Sequence, residues 1–185
     1  MRQFVPASVA TLGLAALGIA FMTGRGLAAS SVVMTYQPAR ARITATVNGS
    51  CWTTSIASPR TDAFRCTSGN RIFDPCFKSG GKTVVCPTDL IRNRATLVRL
   101  TAALPRNTNP GNAAAWAFQL ASGAMCQMGT GTIIPGYPFY CSGPPVCSMP
   151  KPVGGLGQYV TSCGKPTAPI KVRFVRSVKV VRIWK

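Results

Sequence analysis

Histidine and glutamate occur nowhere in the chain, and aspartate occurs only at Asp62, Asp74 and Asp89. Without histidine there is no Ser-His-Asp or Cys-His constellation and no imidazole ligand for a metal. Without glutamate, carboxylate chemistry falls to three aspartates. A small hydrolase using a pair of them, as in glycoside hydrolysis, stays open as an alternative. Their settings favour turns instead. Asp62 follows Pro59-Arg60-Thr61, Asp74 precedes Pro75 and Asp89 follows Cys86-Pro87-Thr88, where an Asp side chain commonly bonds nearby backbone. Gly129-Thr130-Gly131 lacks the strand-to-helix context and the third glycine of a phosphate cradle, so no cofactor is expected.

Long apolar runs are also scarce, and the one present lies at the start. Arg2 is followed by an unbroken apolar stretch from Leu12 to Met22, then by small residues around Leu27-Ala28-Ala29. These are the three parts of a secretory signal peptide, and the stretch falls well short of the roughly 20 residues of a membrane span. Cleavage after Ala29 is expected, leaving 156 residues, the size of one domain. The alternative is an uncleaved anchor, because Phe4 to Met22 is broadly apolar. The domain would then be tethered outside the membrane.

All eight cysteines, at 51, 66, 76, 86, 126, 141, 147 and 163, lie beyond the leader. An even number in an exported chain indicates disulfides. The lack of histidine and of any Cys-x-x-Cys spacing argues against zinc and redox roles. Proximity along the chain predicts Cys51 with Cys66, Cys76 with Cys86, Cys126 with Cys141, and Cys147 with Cys163. Closing loops of this size contributes about 3 kcal/mol each in the chain-entropy account.

Outside the leader no sustained helical period appears, so the fold class is mainly β: a small antiparallel domain, sandwich or barrel-like. Residues 30–42 read as a lead-in to a single domain over 43–185. Ile43 to Val47 is β-branched and ends at Asn48-Gly49, which predicts a tight turn. Short strands are expected at 63–66, 70–73 and 82–86, punctuated by Ser68-Gly69-Asn70, Asp74-Pro75 and Gly80-Gly81. Further strands are expected at 95–101 and within 113–122, with a hairpin over 125–141. Residues 142–157 are Pro- and Gly-rich and read as a loop tethered by Cys147. Ile170 to Phe174 and Val178 to Trp184 close the chain as two strands.

With the leader removed, 19 Lys and Arg face three Asp, a net of +16. Such a field attracts polyanions and opposes self-association. One concentration comprises Arg92, Arg94, Arg99 and Arg106; the other comprises Lys171, Arg173, Arg176, Lys179, Arg182 and Lys185. On alternating strands these would line a surface for anionic polymers or lipid head groups. The plainer account is that they block edge pairing and keep the protein soluble, which needs far less charge. No motif for sequence-specific nucleic-acid reading is present. Trp52, Phe64, Phe73, Phe77, Trp116, Phe118, Phe174 and Trp184 are expected in the core, and Tyr137, Phe139 and Tyr140 at the surface.

The stretches Gly49-Ser50-Cys51-Trp52, Arg65-Cys66, Asp74-Pro75-Cys76-Phe77, Val84-Val85-Cys86-Pro87, Trp116 to Gly123, Cys126 and Tyr140-Cys141 form a recognisable context. They resemble a group of exported bacterial proteins of unassigned function. The resemblance spans roughly 49–141 plus the closing Val181-Arg182-Ile183-Trp184. It implies a shared fold and export, and it brings no functional residues. The stretch holding Cys147 and Cys163 departs from it and reads as an added, disulfide-pinned loop.

The expected protein is an exported, non-enzymatic binding or structural module with affinity for anionic envelope polymers or the membrane surface. A protein-protein interaction module of the cell exterior is the alternative. Intact-mass measurement of protein recovered from outside the cell is expected to show a chain beginning at Ser30; a mass retaining Met1 or Arg2 contradicts cleavage.

Overall fold

The computed structural model describes residues 29–185 apart from Ala113, Leu156 and Pro169. The leader expected over 1–29 lies, but for its last residue, outside them. The described chain is built of strands: β1 (Val32–Met34), β2 (Arg42–Thr54), β3 (Ala63–Ser68), β4 (Arg71–Gly80), β5 (Thr83–Asp89), β6 (Arg94–Leu100), β7 (Ala117–Leu120), β8 (Met125–Met128), β9 (Phe139–Cys141), β10 (Val146–Cys147), β11 (Lys151–Val153), β12 (Gln158–Thr167) and β13 (Lys171–Trp184). A 3-10 turn at Pro38–Arg40 separates β1 from β2. Among the described residues no helix is long and apolar enough to cross a membrane.

The strands form two closed sheets. β2 to β6 make a five-stranded meander whose last strand returns beside the first. With an odd number of alternating strands the closing pair points the same way, so β2 and β6 pair in parallel. In the second sheet β13, β7, β8, β9, β10 and β12 follow one another, and the antiparallel pairing of β12 with β13 completes the ring. β11 flanks β12, and β1 lies parallel to the end of β13. Closure pairs most of the backbone edges that would otherwise invite aggregation, leaving those of β1, β11 and the far part of the β12–β13 hairpin.

Each interior is assembled around two disulfides. Cys51–Cys66 and Cys76–Cys86 lie among Phe64, Phe73, Val84, Val98 and Leu100 in the first sheet. Cys126–Cys141 and Cys147–Cys163 lie among Phe118, Leu120, Phe139, Val180 and Ile183 in the second. This is the pairing that proximity along the chain predicts. Three of the bonds join residues directly opposite each other: Cys51 and Cys66, Cys126 and Cys141, Cys147 and Cys163.

A third cluster joins the sheets. Tyr36, Ala63, Phe77 and Leu90 meet Trp116, Ala117 and Trp184. The rings of Tyr36, Phe77 and Trp116 have centroids 5.0, 5.5 and 6.0 Å apart. Burial pushes the Tyr36 phenol up to about 12 although Arg60 pulls the other way. Residues 30–42 thus supply more than a lead-in: they add β1 to the second sheet and Tyr36 to the junction.

Several local expectations are corrected. Asn48-Gly49 makes no turn, because β2 runs straight through it. Gly49 serves a close approach instead: a Cβ there would stand 2.2 Å from the Thr67 carbonyl oxygen and 2.9 Å from Val98. Asp74-Pro75 likewise does not break a strand; β4 continues through it with a cis peptide. The 142–157 stretch carries β10 and β11 rather than being loop throughout. β12 was hidden by its Gly and Pro residues, and the two expected closing strands are one strand of 14 residues. Phe139 is fully buried, whereas Trp52 and Phe174 are exposed.

Gly49→Ala is expected to cost about 2 kcal/mol and lower the thermal midpoint by roughly 4–8 °C, since its methyl collides with backbone. Gly131, with nothing within 4 Å of its missing Cβ, provides the control. Equal midpoints for the two alanine variants in a thermal melt would remove the close-approach account.

Candidate functional site

The three carboxylates are each held by their own local partners. Arg60 donates to both Asp62 oxygens, at 2.8 and 2.6 Å, and to the Tyr36 carbonyl at 2.7 Å. Its guanidinium also lies over the Phe77 ring, 4.5 Å from the centroid. Asp62 therefore orients a cation at the junction between the sheets. Asp89 accepts from the Arg92 backbone N–H at 2.9 Å, with the Arg92 guanidinium 3.5 Å away.

Asp74 is the most enclosed of the three, with its side chain 1% exposed. The Ser55 hydroxyl donates to one oxygen and the Ile56 N–H to the other, at 3.2 Å. Ser55 Oγ in turn accepts from the Ser58 N–H at 2.8 Å. Desolvation holds the Asp74 carboxyl above its usual range, opposed by these hydrogen bonds and by Arg65. The site pins the 55–58 loop onto β4.

The sulfur chemistry is also occupied. In the second sheet the two disulfides touch, with Cys141 Sγ 3.3 Å and Cys126 Sγ 4.0 Å from Cys147 Sγ. Three sulfurs within 4.8 Å resemble a metal-ligand group in spacing. Disulfide sulfurs, however, carry no thiolate, which is the form that ligates. Three Ser-x-x-Lys spacings, at Ser79 and Lys82, Ser148 and Lys151, and Ser162 and Lys165, fall in strands, a hairpin turn and the connection from β10 to β11 rather than on a helix face.

The cations are distributed otherwise. Arg92, Arg94, Arg99, Arg106, Lys171, Arg173, Arg176 and Arg182 are exposed, and Lys179 and Lys185 are half-buried. Of these ten, Arg92 meets Asp89; among the described residues the other nine form no ion pair. Arg94 on β6 stands in register with Arg42 on β2, and Lys165 on β12 directly opposite Arg173 on β13. Like charges facing across a ladder destabilise it. Arg106 lies apart, in the connection between the sheets.

Near its start, β13 departs from regular geometry. Pairing with β12 shifts register between Cys163 and Lys165, so Phe174 and Val175 together oppose Gly164. Phe174 takes φ 55°, a left-handed conformation that costs a non-glycine residue of order 1–3 kcal/mol, and it is 83% exposed. Gly164 is required opposite: a Cβ there would stand 2.4 Å from Val172 and 2.7 Å from the Arg173 carbonyl oxygen. Beside the bulge lies an open cleft of about 400 Å³. Leu120, Pro144, Pro145 and Val178 supply apolar walls, with Lys165, Phe174 and Arg176 at its border. One signal for the bulge is written in the residues: cations at Lys171 and Arg173 resume out of phase at Arg176.

The chain matches no protein-family model, no curated protein and no solved structure.

Asp74→Asn sets an amide N–H₂ against the Ser55 hydroxyl or the Ile56 N–H and is expected to cost about 1–3 kcal/mol. A native carboxyl held above its ordinary value of 3.8 lends stability that is full below that value and is lost as pH rises through the native one. The advantage of wild type over the variant should therefore shrink as pH rises from the acidic side. Urea midpoints measured in parallel would show it, and a gap independent of pH would contradict it.

Proposed function

We propose that this chain is an exported, non-enzymatic binding or structural module whose cationic surface associates with anionic polymers or lipid head groups outside the membrane. The carrying observation is the separation of charge. No Asp or Glu follows Asp89, so the second sheet holds cations with no carboxylate among its own residues. In the first sheet all three aspartates are already engaged by neighbours. The resulting field is uncompensated by the chain and raises the local concentration of polyanions.

Export is supported by the four disulfides, which persist in oxidising compartments. A non-enzymatic role is supported by the absence of His and Glu and by the local engagement of each Asp. The kinship suggested by the shared cysteine context belongs to the same proposal.

Retention on immobilised heparin tests the charge reading. Binding is expected to fall steeply between about 50 and 200 mM salt, because released counterions drive it. Lys171→Glu with Arg173→Glu should reduce both the retention and its salt slope. Absence of retention at low salt would exclude association with anionic polymers; a flat salt response would point instead to a protein partner.

A further inference from the structure

Resting on the charge reading above, we propose that the β12–β13 hairpin is a docking element for an anionic lipid surface, with Phe174 entering the boundary between head groups and acyl chains. The hairpin is unusually free of support. β12 pairs with Lys171 to Val180, but β7 joins β13 only from Val180 onward, with one further bond from the Ala121 N–H to the Lys179 carbonyl. On β12, β10 and β11 reach only as far as Gly164. From Lys165 to Thr167 and from Lys171 to Val175 the structure is therefore a two-stranded ribbon. Such a ribbon is marginal in water unless another surface covers it.

What this ribbon displays is exposed apolar residues, one beside the turn and two at the bulge, interspersed with cations. Ile170 is 57% exposed, Val175 48% and Phe174 83%, the last being the most exposed of the large apolar residues described. Lys165, Lys171, Arg173 and Arg176 are exposed on the same two strands, and no acidic residue lies in the same sheet. Aromatic and aliphatic groups beside cations match the two layers of a bilayer surface: acyl boundary and anionic head group. A soluble polyanion would satisfy the cations and leave Phe174 in water.

The bulge adds an independent reason. A left-handed bulge position is ordinarily glycine, which adopts it without steric cost. Here it carries the bulkiest apolar side chain of the ribbon, at the border of the cleft lined by Leu120, Pro144 and Val178. Lys165 opposite Arg173 is a second unfavourable local choice that anionic head groups would relieve.

The test compares wild type with Phe174→Gly, a variant that relaxes the backbone and so should melt no lower than wild type. Each is titrated with vesicles of phosphatidylcholine alone and of equal parts phosphatidylcholine and phosphatidylglycerol, at about 200 mM salt, where charge attraction is weakened. Wild type is expected to bind the anionic vesicles and not the neutral ones. Phe174→Gly should lower partitioning about tenfold or more, the loss that withdrawing a phenyl ring from an apolar environment entails. Equal binding by the folded variant overturns the role of Phe174 and leaves the charge reading standing. Equal binding of wild type to both vesicle types overturns the anionic requirement. Retention on heparin without vesicle binding overturns the lipid surface alone, and failure of both removes this proposal together with the reading beneath it.

Discussion

Two small interiors, each built on a pair of cross-strand disulfides, are the constraint on which the rest of the structure depends. The first sheet spans Arg42 to Leu100, near the size at which a chain buries only about 60% of its surface and staples become necessary. Its core is correspondingly modest in aromatics and rich in sulfur. Covalent closure of hairpins lets short strands with frequent glycine and proline hold register, which hydrophobic patterning alone would specify weakly. The junction of Tyr36, Phe77 and Trp116 then fastens one ring to the other.

The same economy governs charge. Three aspartates are spent on local fastening: Asp62 orients Arg60 at the junction, Asp74 ties down the 55–58 loop, and Asp89 closes the turn into β6. None is left to balance the cations of the second sheet. A surface with that imbalance repels copies of itself and draws anions toward it, whatever their chemistry.

What could be read in the residues was whatever depends on near neighbours. Strand character in 63–66 and 95–101, which the structure extends to Ser68 and shifts to Arg94–Leu100, the turns at Ser68-Gly69-Asn70 and Gly80-Gly81, and the cysteine partners all follow from local composition and short loops. Features set by distant contacts were not legible. Asn48-Gly49 has the composition of a turn, but Thr67 and Val98 press against Gly49 and keep β2 extended. Gln158–Thr167 contains Gly164 and Pro166, yet pairing with β13 makes it a strand. Phe174 is expected in the core because aromatic strand residues usually are buried, whereas it stands at a bulge in a ribbon whose neighbouring residues are exposed as well. Of the candidate site, the cations were visible from composition, while the ribbon, cleft and bulge required the fold.

The docking of β1 carries a consequence for timing. Ser31 donates its N–H to the Gly157 carbonyl and its hydroxyl to the Val180 carbonyl, and it accepts from the Tyr159 N–H. Ser31 and Val180 stand 149 positions apart, so this fastening cannot form until the chain has been made as far as Val180. The second ring is thereby sealed by contacts between its earliest and its latest segments, and a chain cut short before β13 would leave β1 with nothing to pair.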